Sequence, residues 1–370
     1  MRDGGVWALA AARFGVCFTA MKSYKLSLCI LGALLATSAW AEPEGAAEGA
    51  AKPAVDPTKP LPKSAKAPRK LEGGWTLVWH DEFNGSRLDK KMWRCEEGIV
   101  RNKGASQAYV DSCVKVKDGV LQLISKAAPT PNPNFGKKGG VAPWDAATKT
   151  QPYASGSVTT KGIMSFSPPG RLEFRARIPK AKGVWPAIWT MHENKYRWPA
   201  NGEIDILEHI SSEPDRVYSI FRWGENGGSN EFKVTRSTVI PDYSKEFHTY
   251  VLEWDNEMMR VLIDDKEVGR IKMSEAVYPN GDNPLQSPCY IIMNTAIGGT
   301  GTWAPKADDP SQYPVVFEID YARYYTRKEA ADDAAASGKK TPKKGAKPEA
   351  EGDSGGLSPT PGKKPKRQKK

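Results

Sequence analysis

The chain has 370 residues, 26% of them charged and 39% hydrophobic, enough for one large domain or two ordinary ones with a proper core. Five cysteines exclude a disulfide-dense mini-domain, and the one long apolar run lies near the N-terminus, which excludes a polytopic membrane protein. The net charge of +11 belongs to the flanks. Lys and Arg stand four against one acid in residues 1–41, six against five in 42–72 and thirteen against six in 327–370, leaving thirty-one of each sign in 73–326. The central segment is neutral, and no nucleic-acid partner is expected for it.

From Met21, Lys22 and Lys25 lead into the apolar stretch 26–36 and then Ala39-Trp40-Ala41, the charged, apolar and small-residue regions of an export signal. Cleavage is expected after Ala41, placing the mature chain in the periplasm or outside the cell. The apolar run, about 11 residues, is well short of the roughly 20 that span a bilayer, so no stable membrane span is expected in the mature form. Residues 42–72 mix Pro, Ala, Gly and charge without apolar periodicity and read as a disordered linker. Residues 327–370 repeat that character and end KKPKRQKK. They read as a disordered basic tail, either simply solvated or drawn to an acidic cell-wall or matrix polymer.

Between the flanks, 73–326 reads as one domain that is almost wholly β. Runs at 75–83, 120–126, 155–162, 171–179, 203–210, 248–255, 259–265, 289–297 and 315–325 have alternating or continuous apolar character and are bounded by Gly, Pro, Asn and Asp. Many short strands without intervening helices point to an antiparallel sandwich or barrel.

The segment that carries chemistry is Asn201-Gly202-Glu203-Ile204-Asp205-Ile206-Leu207-Glu208-His209. Three acids on an otherwise apolar strand repel one another and sit badly on a packed sheet. On a regular strand Glu203 and Asp205 share a face and Glu208 points to the other. One extra residue near Ile206-Leu207, a β-bulge, restores Glu208 to the face of Glu203. The two Glu Cα atoms then lie roughly 13 Å apart, a span that inward-leaning side chains can close to the roughly 5–5.5 Å of a nucleophile and an acid/base in a retaining glycosidase. Asp205 is placed to orient Glu203, and Glu208, facing a carboxylate, is expected to hold its proton. Just upstream, Trp185, Trp189 and Trp198 offer flat apolar rings on which sugars stack. Buried core positions are the alternative for them.

The stretches YASGSVTTKG, RLEFRARIPKAKGVWPAIW, NGEIDILEH, FHTYVLEW, YIIMNTAIGG and IDYARYY together resemble glycoside hydrolase family 16 over essentially all of 73–326. The resemblance implies a β-jelly-roll of two curved antiparallel sheets with the substrate on the concave face, acting as a retaining endo-hydrolase. It matches Glu203 to the nucleophile, Asp205 to the assisting acid and Glu208 to the acid/base. Its bulged motif beside WPAIW is most similar to the laminarinase-like endo-β-1,3-glucanases, with galactan hydrolases as the alternative and a non-catalytic carbohydrate-binding protein as the alternative outside enzymes. A polysaccharide substrate and a monomeric chain are expected. The family's glycan-contacting loop is recognisable in Arg101, Asn102 and Gln107, and Arg222 stands where many members carry His, paired with a carboxylate or facing an anionic sugar. No cofactor is required for catalysis, but the resemblance places a structural calcium at Glu82, the Gly119 carbonyl and Asp320, with ordinary turn and strand-end acids as the other reading. Cys95 and Cys113 are candidates for a disulfide, Cys289 for a buried thiol. The four histidines lack paired ligand spacing, so zinc is not expected, and His209 reads as structural.

Overall fold

The computed structural model describes residues 55–328 except Asp242. The expected signal, the first part of the linker and nearly all of the basic tail lie outside the described residues. All nine apolar runs form strands, arranged in two sheets that face each other. The seven-stranded sheet runs, edge to edge, Glu231–Val239, Arg216–Gly224, Glu203–Glu208, Val184–His192, Cys289–Ile297, Ser157–Thr159 and Arg94–Cys95, and it is antiparallel throughout. The ten-stranded sheet is ordered Lys266–Lys272, Met258–Ile263, His248–Trp254, Gly170–Arg177, Val315–Thr326, Val120–Pro131, Thr150–Ser155 and Gln107–Tyr109. Thr76–Asp81 adds to Val315–Thr326, and Val114–Lys117 to Val120–Pro131. That last hairpin turns on Asp118 and Gly119, both with positive φ, the conformation of a tight two-residue turn.

Alternation decides which side chains fill the space between the sheets. Leu172, Phe174, Leu252 and Phe317 from the larger sheet meet Ile204, Phe221, Ile291 and Met293 from the smaller, all buried. Each such side chain contributes roughly 1.5–3 kcal/mol, which makes the pair of sheets a stiff base for whatever the outer faces carry.

The outer face of the ten-stranded sheet is laced with ion pairs, and the calcium expectation meets them. The Glu82 carboxylate accepts two hydrogen bonds from Arg323, at 2.9 and 2.7 Å. Asp320 accepts from Arg175 at 2.6 Å and from the Leu61 amide at 3.1 Å. Both carboxylates are already neutralised by a guanidinium, and a divalent cation there would meet Arg175 and Arg323 as like charges. As they stand, both carboxylates are engaged by arginines rather than open to a calcium ion.

Two further expectations are corrected here. Part of the linker is a strap: the carbonyls of Lys59 and Thr58 accept from Arg175 and Arg177 at 3.1 and 3.0 Å, and the Phe247 amide donates to the Pro57 carbonyl at 2.7 Å. It is held through its own main-chain groups, which apolar periodicity does not register. Cys95 and Cys113 are free thiols, as is the buried Cys289. Cys95 lies in the edge strand of the smaller sheet, whereas Cys113 ends a short 3-10 turn leading into the larger one.

With arginines where a metal was expected, chelation with EDTA leaves the thermal unfolding midpoint unchanged. Arg175→Met, which strands the buried Asp320, lowers the unfolding free energy by about 3 kcal/mol in chemical denaturation. A midpoint that falls with EDTA and recovers with added calcium contradicts this assignment.

Candidate active site

The strand Glu203–Glu208 is buried along its whole length. Against Val184–His192, Asp205 pairs with Trp189 and the next pair is Leu207 with Ile188, so Ile206 is skipped. Against Arg216–Gly224 the register likewise shifts between Asp205 and Glu208. Ile206 is the extra residue of a bulge, where it was expected. Consequently Ile204, Ile206 and Leu207 all join the core between the sheets, and Glu203, Asp205 and Glu208 share the opposite, outer face.

Each acid has a defined neighbour there. The Trp198 indole Nε1 donates to Glu203 Oε2 at 2.9 Å, and Arg222 Nε lies 3.2 Å from Glu203 Oε1. Arg222 Nη2 reaches Asp205 Oδ2 at 3.4 Å. The Trp185 Nε1 donates to Glu208 Oε1 at 2.9 Å, while Glu208 Oε2 is buried without a hydrogen-bond partner among the described residues. An ionised carboxylate with a dry, unpartnered oxygen is costly, and burial followed by the facing Glu203 pushes Glu208 up to about 7. Burial, then Glu208 and Glu203, raises Asp205 well above the usual range. Burial also raises Glu203, against the pull of Arg222 and the Trp198 hydrogen bond. The arrangement keeps a proton on Glu208 and places the cation and an indole N–H on Glu203, the division of labour that an acid and a nucleophile need.

The aromatic surface differs in part from expectation. Trp198 is 51% exposed and open to a ligand. Trp185 packs edge-on against Trp303, which is 42% exposed and rests on Tyr218. Trp189 presents no open platform: it is 8% exposed, its Nε1 donates to Asn294, and the Arg101 guanidinium covers its ring at 5.1 Å. Arg101 is fixed in turn by a two-pronged pairing with Glu96, at 2.8 and 2.7 Å. Asn102 is exposed on the same loop, which packs so closely on the loop carrying Trp303 that a Cβ on Gly104 would lie 2.1 Å from the Thr300 carbonyl. Gln107 is buried and accepts from the Ile297 amide at 2.7 Å, a structural bond rather than a glycan contact. His209 is buried beside Tyr243 and bonded to the Arg216 carbonyl, in agreement with a structural role.

Trp303, Tyr218 and the Glu96–Arg101 pair were not anticipated, and no local pattern marks them. Nor was the recess of about 1030 Å³ lined by Arg94, Glu96, Lys137, Asp145 and Arg197. One of its walls, the segment 132–148, is tied to the Arg101 loop by Asp145, which accepts from the Ile99 and Val100 amides, at 2.9 and 3.3 Å.

Two pH effects follow. With Glu203 as the expected nucleophile and Glu208 as the expected acid, kcat/KM rises with pH on the acidic side and falls as pH passes about 7. Because Glu208 is raised from an ordinary 4.5, the folded state binds its proton more tightly than the unfolded chain, and the resulting stability is lost as pH rises through the folded value. Glu208→Gln escapes that loss. Its unfolding free energy exceeds wild type at pH 8, with the gap closing toward pH 4 in denaturant titrations.

Comparison with known proteins agrees with this geometry. The family model for glycosyl hydrolases family 16 matches residues 112–323. A glucan endo-1,3-beta-glucosidase A1 of Niallia circulans is 31% identical over 68% of this chain, which spans 38% of that protein's length. A beta-glucanase of Rhodothermus marinus is 30% identical, with 71% of this chain and 87% of that protein covered. A solved structure from work on the endo-acting O-glycanases with which prominent members of the human gut microbiota initiate mucin breakdown is 46% identical, covers 73% of this chain and 97% of its own, and superposes with a TM-score of 0.68. On sequence and fold together, the chain belongs to glycosyl hydrolases family 16.

Proposed function

We propose that this chain is a retaining endo-hydrolase that cuts internal β-linkages of a polysaccharide, with Glu203 as nucleophile and Glu208 as acid/base. The observation that carries the reading is the bulge at Ile206, which puts the two carboxyls on one face with opposite electrostatic settings. Glu203 attacks the anomeric carbon while Glu208 gives its proton to the departing glycosidic oxygen, leaving a glycosyl ester on Glu203. Water then attacks the same carbon, Glu208 takes the water's proton, and Glu203 leaves as carboxylate. Burial and the neighbouring Glu208 and Glu203 disfavour ionisation of Asp205, so it is disposed against adding a second negative charge beside that of Glu208. Trp198 and Trp303 are the open rings on which sugars stack.

β-1,3-glucan is the substrate that the named glucanase relatives support. A second reading rests on the 46% identical structure from the work on mucin O-glycanases: the same machinery acting on a mucin O-glycan; a keratan-sulfate endo-1,4-beta-galactosidase of Sphingobacterium multivorum, 28% identical, is in line with the galactan alternative. Export through the signal at Met21–Ala41 fits either polymer, since both lie outside the cell.

Product release by the purified chain from laminarin, mixed-linkage β-glucan, agarose and mucin O-glycans decides between them. An oligosaccharide ladder from laminarin supports the glucanase, and products from O-glycans alone keep the mechanism and replace the substrate. Glu203→Gln loses about 10³-fold or more in kcat and still binds the sugar. Binding without products from any polymer contradicts a hydrolase.

A further inference from the structure

Arg222 is the one cation in direct contact with the acids among the described residues, and its surroundings say more than charge neutralisation. On its sheet it lies opposite Glu203 on one side and Lys233 on the other. Its guanidinium, with the side chain 16% exposed, reaches three carboxylates: Glu203 at 3.2 Å, Asp205 at 3.4 Å and Glu231 at 3.6 Å. Glu231 sits on the edge strand, more open to solvent, and is also within 3.6 Å of Lys233.

We propose that Arg222 is a positioning residue that aims Glu203 and keeps it ionised, and that Arg222 and Glu231 together set the pH window in which the site works. The proposal rests on the hydrolase reading for its kinetic part only. The charged groups facing the site come from four places. Glu203, Asp205 and Glu208 stand on one strand, Arg222 on the next, and Glu231 and Lys233 on the edge strand. Arg101 lies across the Trp189 ring and is held by Glu96. The neighbouring strand Val184–His192 turns Trp185 and Trp189 to the site, while its His192 is bonded to the Ser287 carbonyl.

With Glu208 protonated and ionisation of Asp205 disfavoured by burial and its two neighbours, the negative charges of Glu203 and Glu231 stand against Arg222 and Lys233. When Glu203 becomes an ester it loses its charge, and Arg222 keeps Glu231 and Asp205 as partners. Glu231 thus holds the guanidinium in place through both halves of the reaction. Attraction between near-buried groups of opposite charge favours the ionised carboxylate, so removing the Arg222 charge makes both Glu203 and Glu208 harder to ionise. Removing the Glu231 charge makes both easier. The two substitutions therefore move the window in opposite directions, which loss of packing alone does not do.

The test uses the full chain as wild type, Arg222→Met, Arg222→Lys and Glu231→Gln, with two readouts. One is the pH dependence of kcat/KM on the polymer that wild type cleaves. The other is NMR titration of ¹³C-labelled glutamate carboxyls in the unliganded protein, which needs no turnover. Arg222→Met is expected to shift both limbs upward by about one pH unit, and Glu231→Gln to shift them downward. Arg222→Lys keeps the window and loses kcat, because an ammonium cannot reproduce the fork. Glu231 lies on an open edge, so its variant keeps the proposal testable if Arg222→Met does not fold. If wild type cleaves no glycan, the hydrolase reading falls and the titrations still judge this one. Unchanged carboxyl titrations in the variants, or shifts in the same direction for Arg222→Met and Glu231→Gln, overturn it.

Discussion

A β-strand turns alternate side chains to opposite faces, and the site depends on one residue that interrupts that rule. Without the extra Ile206, Glu208 would point into the apolar core between the sheets, where an unpartnered carboxyl is costly. With it, two consecutive aliphatic residues face inward and the third acid returns to the face of the first. The bulge therefore serves stability and chemistry together. Flanking strands lock it: the pairs Asp205–Trp189 and Leu207–Ile188 on one side, and Glu208–Tyr218 on the other, leave no register in which the acids could disperse.

Three acids crowded on a buried strand carry a large desolvation cost. The surroundings offset it unevenly, and the unevenness is what makes the carboxyls different. Glu203 receives a guanidinium and an indole N–H, whereas Glu208 receives a single indole N–H and a facing negative charge. The larger sheet uses a different device, giving the half-buried Glu82 and the buried Asp320 a guanidinium each, from Arg323 and Arg175. One sheet satisfies its carboxylates and the other withholds satisfaction from them. The fold supplies the stiffness that lets the second arrangement persist.

The acids, their bulge and nine strands were legible because each is written in local alternation. The strand Glu231–Val239 was not, since it lies on an edge with both faces largely exposed and shows no apolar period. Arg216–Gly224 was hidden for the opposite reason: Arg222 interrupts the apolar pattern because it serves the site. Trp189 was expected to be open because the residue that covers it, Arg101, comes from a distant loop. The same holds for Trp303 beside Trp185. The calcium expectation rests on position alone, which does not reveal that arginines from two neighbouring strands reach Glu82 and Asp320. The strap at 56–61 was missed because carbonyls, which every sequence has, hold it in place.

The claim on which the account stands is that Glu203 forms a covalent bond to the sugar while Glu208 handles the proton. Incubation with a slowly turning-over 2-fluoro glycoside of the cleaved oligosaccharide, followed by peptide mass spectrometry, tests it directly. The account predicts a single glycosyl adduct on Glu203 and first-formed products that retain the β-anomeric configuration by NMR. An adduct on Glu208 or Asp205, or products released with inverted configuration, would contradict it.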